Sequence, residues 1–143
     1  MQIKDLMTDK VRAVGADATV RRAAEEMATI NVGALPVAQD RKLVGMLTDR
    51  DIALRVVAQG KDPETTPAKL VMTPDVFTVL ADQDVAEAAR AMRDKKVRRV
   101  PVLDSGQQIV GIVSLADLAA KSGDPGLSGE VLKGISRPAV PKL

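Results

Sequence analysis

Two segments of this chain set a hydroxyl and a carboxylate three residues apart, each at the end of an apolar run that opens with glycine. They are Gly45-Met46-Leu47-Thr48-Asp49-Arg50-Asp51 and Gly111-Ile112-Val113-Ser114-Leu115-Ala116-Asp117. At this spacing the Thr or Ser side chain accepts from a backbone N–H of a helix it starts, and the acid three residues later reaches back to the first residue. The same pair suits a ligand. A hydroxyl among the unpaired N–H donors at the positive end of a helix favours an anion. A carboxylate one turn further in is able to accept from both hydroxyls of a vicinal diol. Capping and ligand contact are compatible, and the spacing alone does not separate them.

Cations come from the stretch Arg90 to Arg99, which holds six basic residues against one acidic residue. Arg90, Arg93, Lys95 and Lys96 read as a solvated helix face. Arg98 and Arg99 stand apart, directly before the apolar run Val100-Pro101-Val102; the corresponding positions of the other half of the chain are Gly33 and Ala34. Guanidinium forks match phosphate oxygens, so one half would supply cations where the other leaves space. A surface pair that only aids solubility is the competing reading. Asp49-Arg50-Asp51 resembles a catalytic carboxylate pair, but adjacent helical residues do not face each other and nothing supplies an acid or base partner.

Composition removes other chemistries. The 143 residues are 45% hydrophobic and 28% charged and contain neither Cys nor His. Disulfides, thiolate nucleophiles, zinc sites of the usual kind, hydrolase triads and histidine pH switches are thereby poor fits. Formal net charge is +2 and Phe77 is the sole aromatic residue, which argues against stacking on nucleic-acid bases. The N-terminus lacks an apolar signal core and no run is long enough to span a membrane. A cytoplasmic protein with no nucleic-acid or membrane partner is expected.

The elements that must position these residues occur twice. Leu6-Met7-Thr8 returns as Val71-Met72-Thr73, and at the same offset Val20, Ala23, Ala24 and Met27 return as Val85, Ala88, Ala89 and Met92. These are helical stripes, with Thr19 as one cap and Asp84, closed into a box by Glu87, as the other. Leu35-Pro36-Val37-Ala38 and Val100-Pro101-Val102-Leu103 read as strands, returned by Leu43 to Leu47 and Ile109 to Val113. Second helices follow over Asp49 to about Gln59 and Leu115 to about Lys121. Gly45 and Gly111 serve either close backbone approach or local packing. The unit is β-α-β-β-α, used twice around a shared core. The expected division is 1–59 for repeat one, 60–68 for a linker, 69–121 for repeat two, and 122–143 for a turn, a short helix over Glu130 to Ile135 and a frayed tail beyond Ser136. The segment Ile52 to Val57 is apolar on more than one side, consistent either with a well-buried core helix or with a subunit interface.

The two Gly-x-x-Thr/Ser-x-x-Asp segments, each after a Pro-Val hairpin and each opening a helix, resemble the CBS domain (cystathionine β-synthase domain) family over roughly residues 3 to 121. Within the family, the layout and the run Gly33-Ala34-Leu35-Pro36 are similar to a mycobacterial member built from one CBS pair. The resemblance implies an α+β fold in which tandem β-α-β-β-α CBS repeats form one pseudo-twofold pair, a Bateman module, with two clefts between the copies. It implies binding of AMP, ADP, ATP, NAD or S-adenosylmethionine, and a disc-shaped homodimer of either parallel or antiparallel arrangement. By position, Thr48 with Asp51 and Ser114 with Asp117 are the ligand motifs, the acids meeting ribose and the hydroxyls lying near phosphate, with Arg98 or Arg99 on phosphate and Gly33 and Ala34 at the matching place. No cofactor or metal is required. The expected function is a stand-alone regulatory module, not an enzyme, that senses an adenosine-containing ligand and acts in trans, on a protein partner or through its own assembly. The linker and the C-terminal helix are its candidate moving parts. A ligand-free dimeric interaction scaffold is the alternative.

Overall fold

Val20, Ala23 and Met27 lie on one buried stripe of helix α1, Val20–Ile30, in the structure, a computed structural model that describes residues 1–136. Thr19 caps α1 by accepting the Arg22 N–H at 3.1 Å, and Asn31 ends it in the left-handed conformation that releases a chain from a helix. The N–H groups of Val20 and Arg21 are taken up by the carbonyls of Thr66 and Pro63, so Gly60 to Ala68 is a fitted strap across the start of α1. Its counterpart is the N-terminus, where the Met1 carbonyl accepts from Val85 at 3.0 Å. Val85 opens helix α3, Val85–Lys95, capped by Asp84. The capping box expected there does not close. Asp84 accepts from Ala86, while Glu87 turns to Arg90, one turn along, at 3.1 Å.

Each helix feeds an antiparallel hairpin. Strands β2, Ala34–Gln39, and β3, Lys42–Thr48, are joined by Asp40 and Arg41, both at positive φ as a tight two-residue hairpin turn requires. A short strand β1, Val14–Gly15, runs parallel to β2, and β4, Thr73–Pro74, lies antiparallel to β3, giving a four-stranded sheet in the order β1-β2-β3-β4. Because β1 reaches only Val37 and Ala38, the missing donor of Pro36 falls beyond its end. The second sheet is β5, Val79–Leu80, parallel to β6, Arg99–Leu103, with β7, Ile109–Ser114, antiparallel to β6. The fold is therefore mixed α+β with two sheets.

The two compact units do not follow the boundaries of the repeats. One is Arg12–Val76; the other joins Met1–Val11 to the chain from Phe77 onward. Leu6-Met7-Thr8 lies against the hairpin of the second copy, where Thr8 and Ile112 exchange backbone hydrogen bonds of 2.8 and 2.9 Å. Ile3 and Leu6 are fully buried in that unit's core with Val100, Val102 and Leu118. Val71-Met72-Thr73 makes the matching approach to β3 in the other unit, whose core gathers Val20, Leu35, Val37, Leu47 and Val56. The opening segment of each repeat is thus built into the unit that holds the other repeat's hairpin.

Helix α4, Leu115–Lys121, has the expected extent. Its counterpart α2 is α-helical only over Asp49–Ile52 and continues as a wider π-helical turn, Ala53–Val57. Val56 is buried there, but Leu54 is 50% and Val57 72% exposed. Of the two readings open for Ile52 to Val57, the well-buried core helix does not fit Leu54 and Val57, because the widened turn moves only Val56 inward. The C-terminal helix α5, Pro125–Ile135, starts a turn and more earlier than expected, since Asp124 caps it and Pro125 takes the first position, where no N–H is needed. The tail expected to fray beyond Ser136 lies outside the described residues.

Candidate functional site

Thr48 ends β3 and caps α2. Its Oγ1 accepts from the Asp51 N–H at 3.0 Å, and Asp51 Oδ2 accepts from the Thr48 N–H at 3.0 Å. Across the hairpin Ala34 stands opposite Thr48, and the Gly33 carbonyl accepts from the Asp49 N–H at 3.0 Å. The other unit repeats the arrangement. Ser114 and Asp117 form the same reciprocal box at 2.9 and 3.1 Å, Arg99 stands opposite Ser114, and the Arg98 carbonyl accepts from the Leu115 N–H at 2.8 Å. The eight residues singled out in the sequence therefore gather into two corners of four, one in each unit.

Both acids are largely covered, with side chains 14% and 12% exposed, and both face a cation one turn along the helix. Arg55 lies 3.9 Å from Asp51 Oδ1 and also donates to the carbonyls of Val71 and Met72 at 2.9 and 3.0 Å. Lys121 lies 3.4 Å from Asp117 Oδ1 and donates to the Leu6 carbonyl at 3.3 Å. Acid, cation and carbonyl thus tie each corner to the segment before Thr73 or Thr8. These two cations were not among the residues singled out, although their spacing of four from each Asp was the available signal. Among the described residues every buried side-chain polar atom has a partner. A ligand would use the remaining lone pairs of these carboxylates and hydroxyls.

The corners differ in charge. The space expected at Gly33 is filled by Asp49, whose Oδ2 would lie 3.1 Å from a Cβ built on that glycine. The corner of Arg12–Val76 is consequently acidic, with Asp49 and Asp51. In the other corner Leu115 replaces Asp49 and Arg98 replaces Gly33. Arg98 and Arg99 are exposed, neither enters an ion pair among the described residues, and they border a cavity of about 500 Å³ with Ser114, Leu115, Ala116 and Ala119.

Three of the four other basic groups of the stretch Arg90 to Arg99 are occupied elsewhere. Arg90 pairs with Glu87, Arg93 with Asp94, and Lys95 sits 5.9 Å from the centre of the Phe77 ring, as a solvated helix face predicts. A larger depression, about 1030 Å³, runs along α1. Most of its charges are already paired: Arg12 meets Glu26 at 2.7 Å, and Arg21 is held by Glu64 and Glu25. The hydrogen bond and charge of Glu64, then the charge of Glu25, raise the Arg21 pKa above its ordinary value. Of the charged side chains lining it, Arg22 alone stands outside an ion pair among the described residues.

The CBS domain family pattern matches residues 3–58 and 68–124 of this chain. It is 40% identical over 134 residues, 94% of each chain, to the CBS domain-containing protein YhcV of Bacillus subtilis. It is also 40% identical over 117 residues, 81% of each chain, to hypoxic response protein 1 of Mycobacterium tuberculosis. A crystal structure of hypoxic response protein I with two coordinated zinc ions matches with a TM-score of 0.78 at 38% identity, covering 85% of this chain and 98% of that one. This chain has no His or Cys, and among the described residues no group of three or more acids is placed to hold an ion. The CBS domain pair of protein MJ0100, in complex with 5′-methylthioadenosine and S-adenosyl-L-methionine, matches with a TM-score of 0.76 at 29% identity, covering 86% of this chain and 96% of that one.

Proposed function

Because this chain belongs to the CBS domain family and carries the repeat twice, we propose that it is a regulatory module that binds an adenosine-containing ligand at its hydroxyl-and-acid corners and has no catalytic activity of its own. The observation that carries this reading is the corner in which two guanidiniums without ion-pair partners among the described residues border a cavity with Ser114, whose capping box Asp117 closes. Phosphates lie on Arg98 and Arg99, whose forked donors fit them. The ribose diol meets Asp117, and the base rests on aliphatic side chains, since the chain's one ring, Phe77, is not at the corner. AMP, ADP, ATP and NAD suit this corner. The acidic corner at Asp49 and Asp51 suits an adenosyl ligand without phosphate, such as S-adenosylmethionine. The ligands of MJ0100, neither of which carries phosphate, support adenosyl recognition within the family.

Thermal unfolding with and without AMP, ATP, NAD and S-adenosylmethionine tests the reading. A ligand at a hundred times its dissociation constant adds about 2.7 kcal/mol, which moves the midpoint by several degrees. Replacing Arg99 with Ala removes a charge-assisted contact worth about 1.5–3 kcal/mol and weakens ATP binding roughly 10- to 100-fold. No shift with any of the four compounds counts against the proposal.

A second reading, a dimeric scaffold, is favoured by Leu54 and Val57, which present apolar surface on the π-helical turn. The two readings are compatible if the dimer is the form that senses ligand. Val57→Asp leaves the monomer fold intact, since the side chain is 72% exposed, and shifts sedimentation from dimer to monomer if this face is the interface. Unchanged sedimentation removes the face from consideration.

A further inference from the structure

The cavity at Arg98 and Arg99 has one wall that the repeat does not supply. Opposite α4 it is closed by Pro125, Ser128, Gly129 and Leu132 of α5, a helix with no counterpart after α2. The surface beneath α5 has been fitted for it in one copy only. Ala91, buried at 4%, occupies the position where the first copy has Glu26, an acid paired with Arg12. Leu115 and Ala116 occupy the positions of Asp49 and Arg50. A helix docks on the apolar version of this face and would bury charges on the other.

α5 is weak on its own account. Three of its eleven residues, Gly126, Gly129 and Gly134, are glycine, the poorest helix former after proline. The helix is held by docking: Val131 is buried, Leu127 and Ile135 pack on the core, and Gly134 lies so close to α3 that a Cβ there would fall 2.8 Å from Arg93 Cγ. A helix of this kind opens locally at modest free-energy cost.

We infer that α5 is the movable wall of the phosphate corner, docked more firmly when a phosphate-bearing nucleotide lies on Arg98 and Arg99 and loosened when the corner is empty. A ligand in the cavity touches α5 only while α5 is docked, so its affinity for the docked state exceeds that for the open one and binding draws the helix in. Apolar walls with a cationic rim select a ligand with a flat, weakly polar body and a phosphate tail. The inference rests on the proposed function, and it names the element through which that site is read out.

Hydrogen exchange of the full chain, followed by mass spectrometry with and without ATP and with pyrophosphate as a phosphate-only probe, tests it alongside the variant Gly129→Leu. A Cβ at position 129 meets nothing within 4 Å, so the new side chain enters open space at the cavity wall. Saturating ATP is expected to slow exchange across residues 127–135 at least tenfold, with a smaller effect from pyrophosphate. Gly129→Leu is expected to weaken ATP at least tenfold while the unliganded melting temperature stays at or above the wild-type value. ATP binding with unchanged or faster exchange in α5, or with wild-type affinity in Gly129→Leu, overturns the inference and leaves the proposed function standing. No binding of ATP to the wild-type chain overturns the inference, and no binding of AMP, NAD or S-adenosylmethionine either overturns both.

Discussion

Gly45 and Gly111 are fixed by what lies against them. A Cβ on Gly111 would fall 2.5 Å from Met7 Sδ and 2.9 Å from the Thr8 carbonyl, and one on Gly45 2.6 Å from both Met72 Sδ and the Thr73 carbonyl. This decides between close approach and simple packing in favour of close approach. Gly111→Ala is expected to cost about 1–3 kcal/mol through overpacking against backbone that cannot yield, measured by urea denaturation. Gly15→Ala, with open space around it, serves as the control and is expected to show no comparable loss. Ser114→Ala removes the cap of α4 and is expected to cost about 0.5–2 kcal/mol in the same assay. The two boxes were legible because hydroxyl and acid are near neighbours in sequence, and local hydrogen bonds follow from local spacing. Lys121 was not, because the carbonyl it clamps, Leu6, is 115 residues away. Nor does spacing say that Asp49 turns back over Gly33.

At the scale of elements, periodicity revealed both long helices and both hairpins, since a buried stripe and an alternating strand leave their period in the chain. It could not reveal the exchange of opening segments. Leu6-Met7-Thr8 and Val71-Met72-Thr73 are so alike that either would fit either hairpin, and only the chain path assigns Thr8 to Ile112 and Thr73 to Met46. The exchange gives the N-terminus a core role. Leu6 is 1% exposed, and Leu6→Ala is expected to cost about 2–5 kcal/mol, as for deep core positions. A loss below about 1 kcal/mol in denaturant titration would show that the segment only rests on the surface. The widening of α2 into a π-helical turn was likewise hidden, because the apolar residues of Ile52 to Val57 fit several helical phases until Val56 takes the inward place.

Over the whole molecule, duplication followed by divergence has left one fold motif with two electrostatic characters. One corner carries Asp49 and Asp51, the other Arg98 and Arg99, and only the second is walled by a C-terminal helix. A symmetric repeat would bind two equal ligands; this one is expected to take a single phosphate-bearing nucleotide per chain. The family explains the frame, while the preference for phosphate follows from substitutions at four matched positions, where Gly33, Ala34, Asp49 and Arg50 give way to Arg98, Arg99, Leu115 and Ala116. Isothermal titration of ATP into the wild-type chain and into the double replacement Arg98→Ala with Arg99→Ala tests this most directly. The account predicts one saturable site per chain, with affinity reduced at least 100-fold by the double replacement. Equal affinity in both proteins, or no saturable binding of ATP, ADP, AMP or NAD to the wild type, would contradict it.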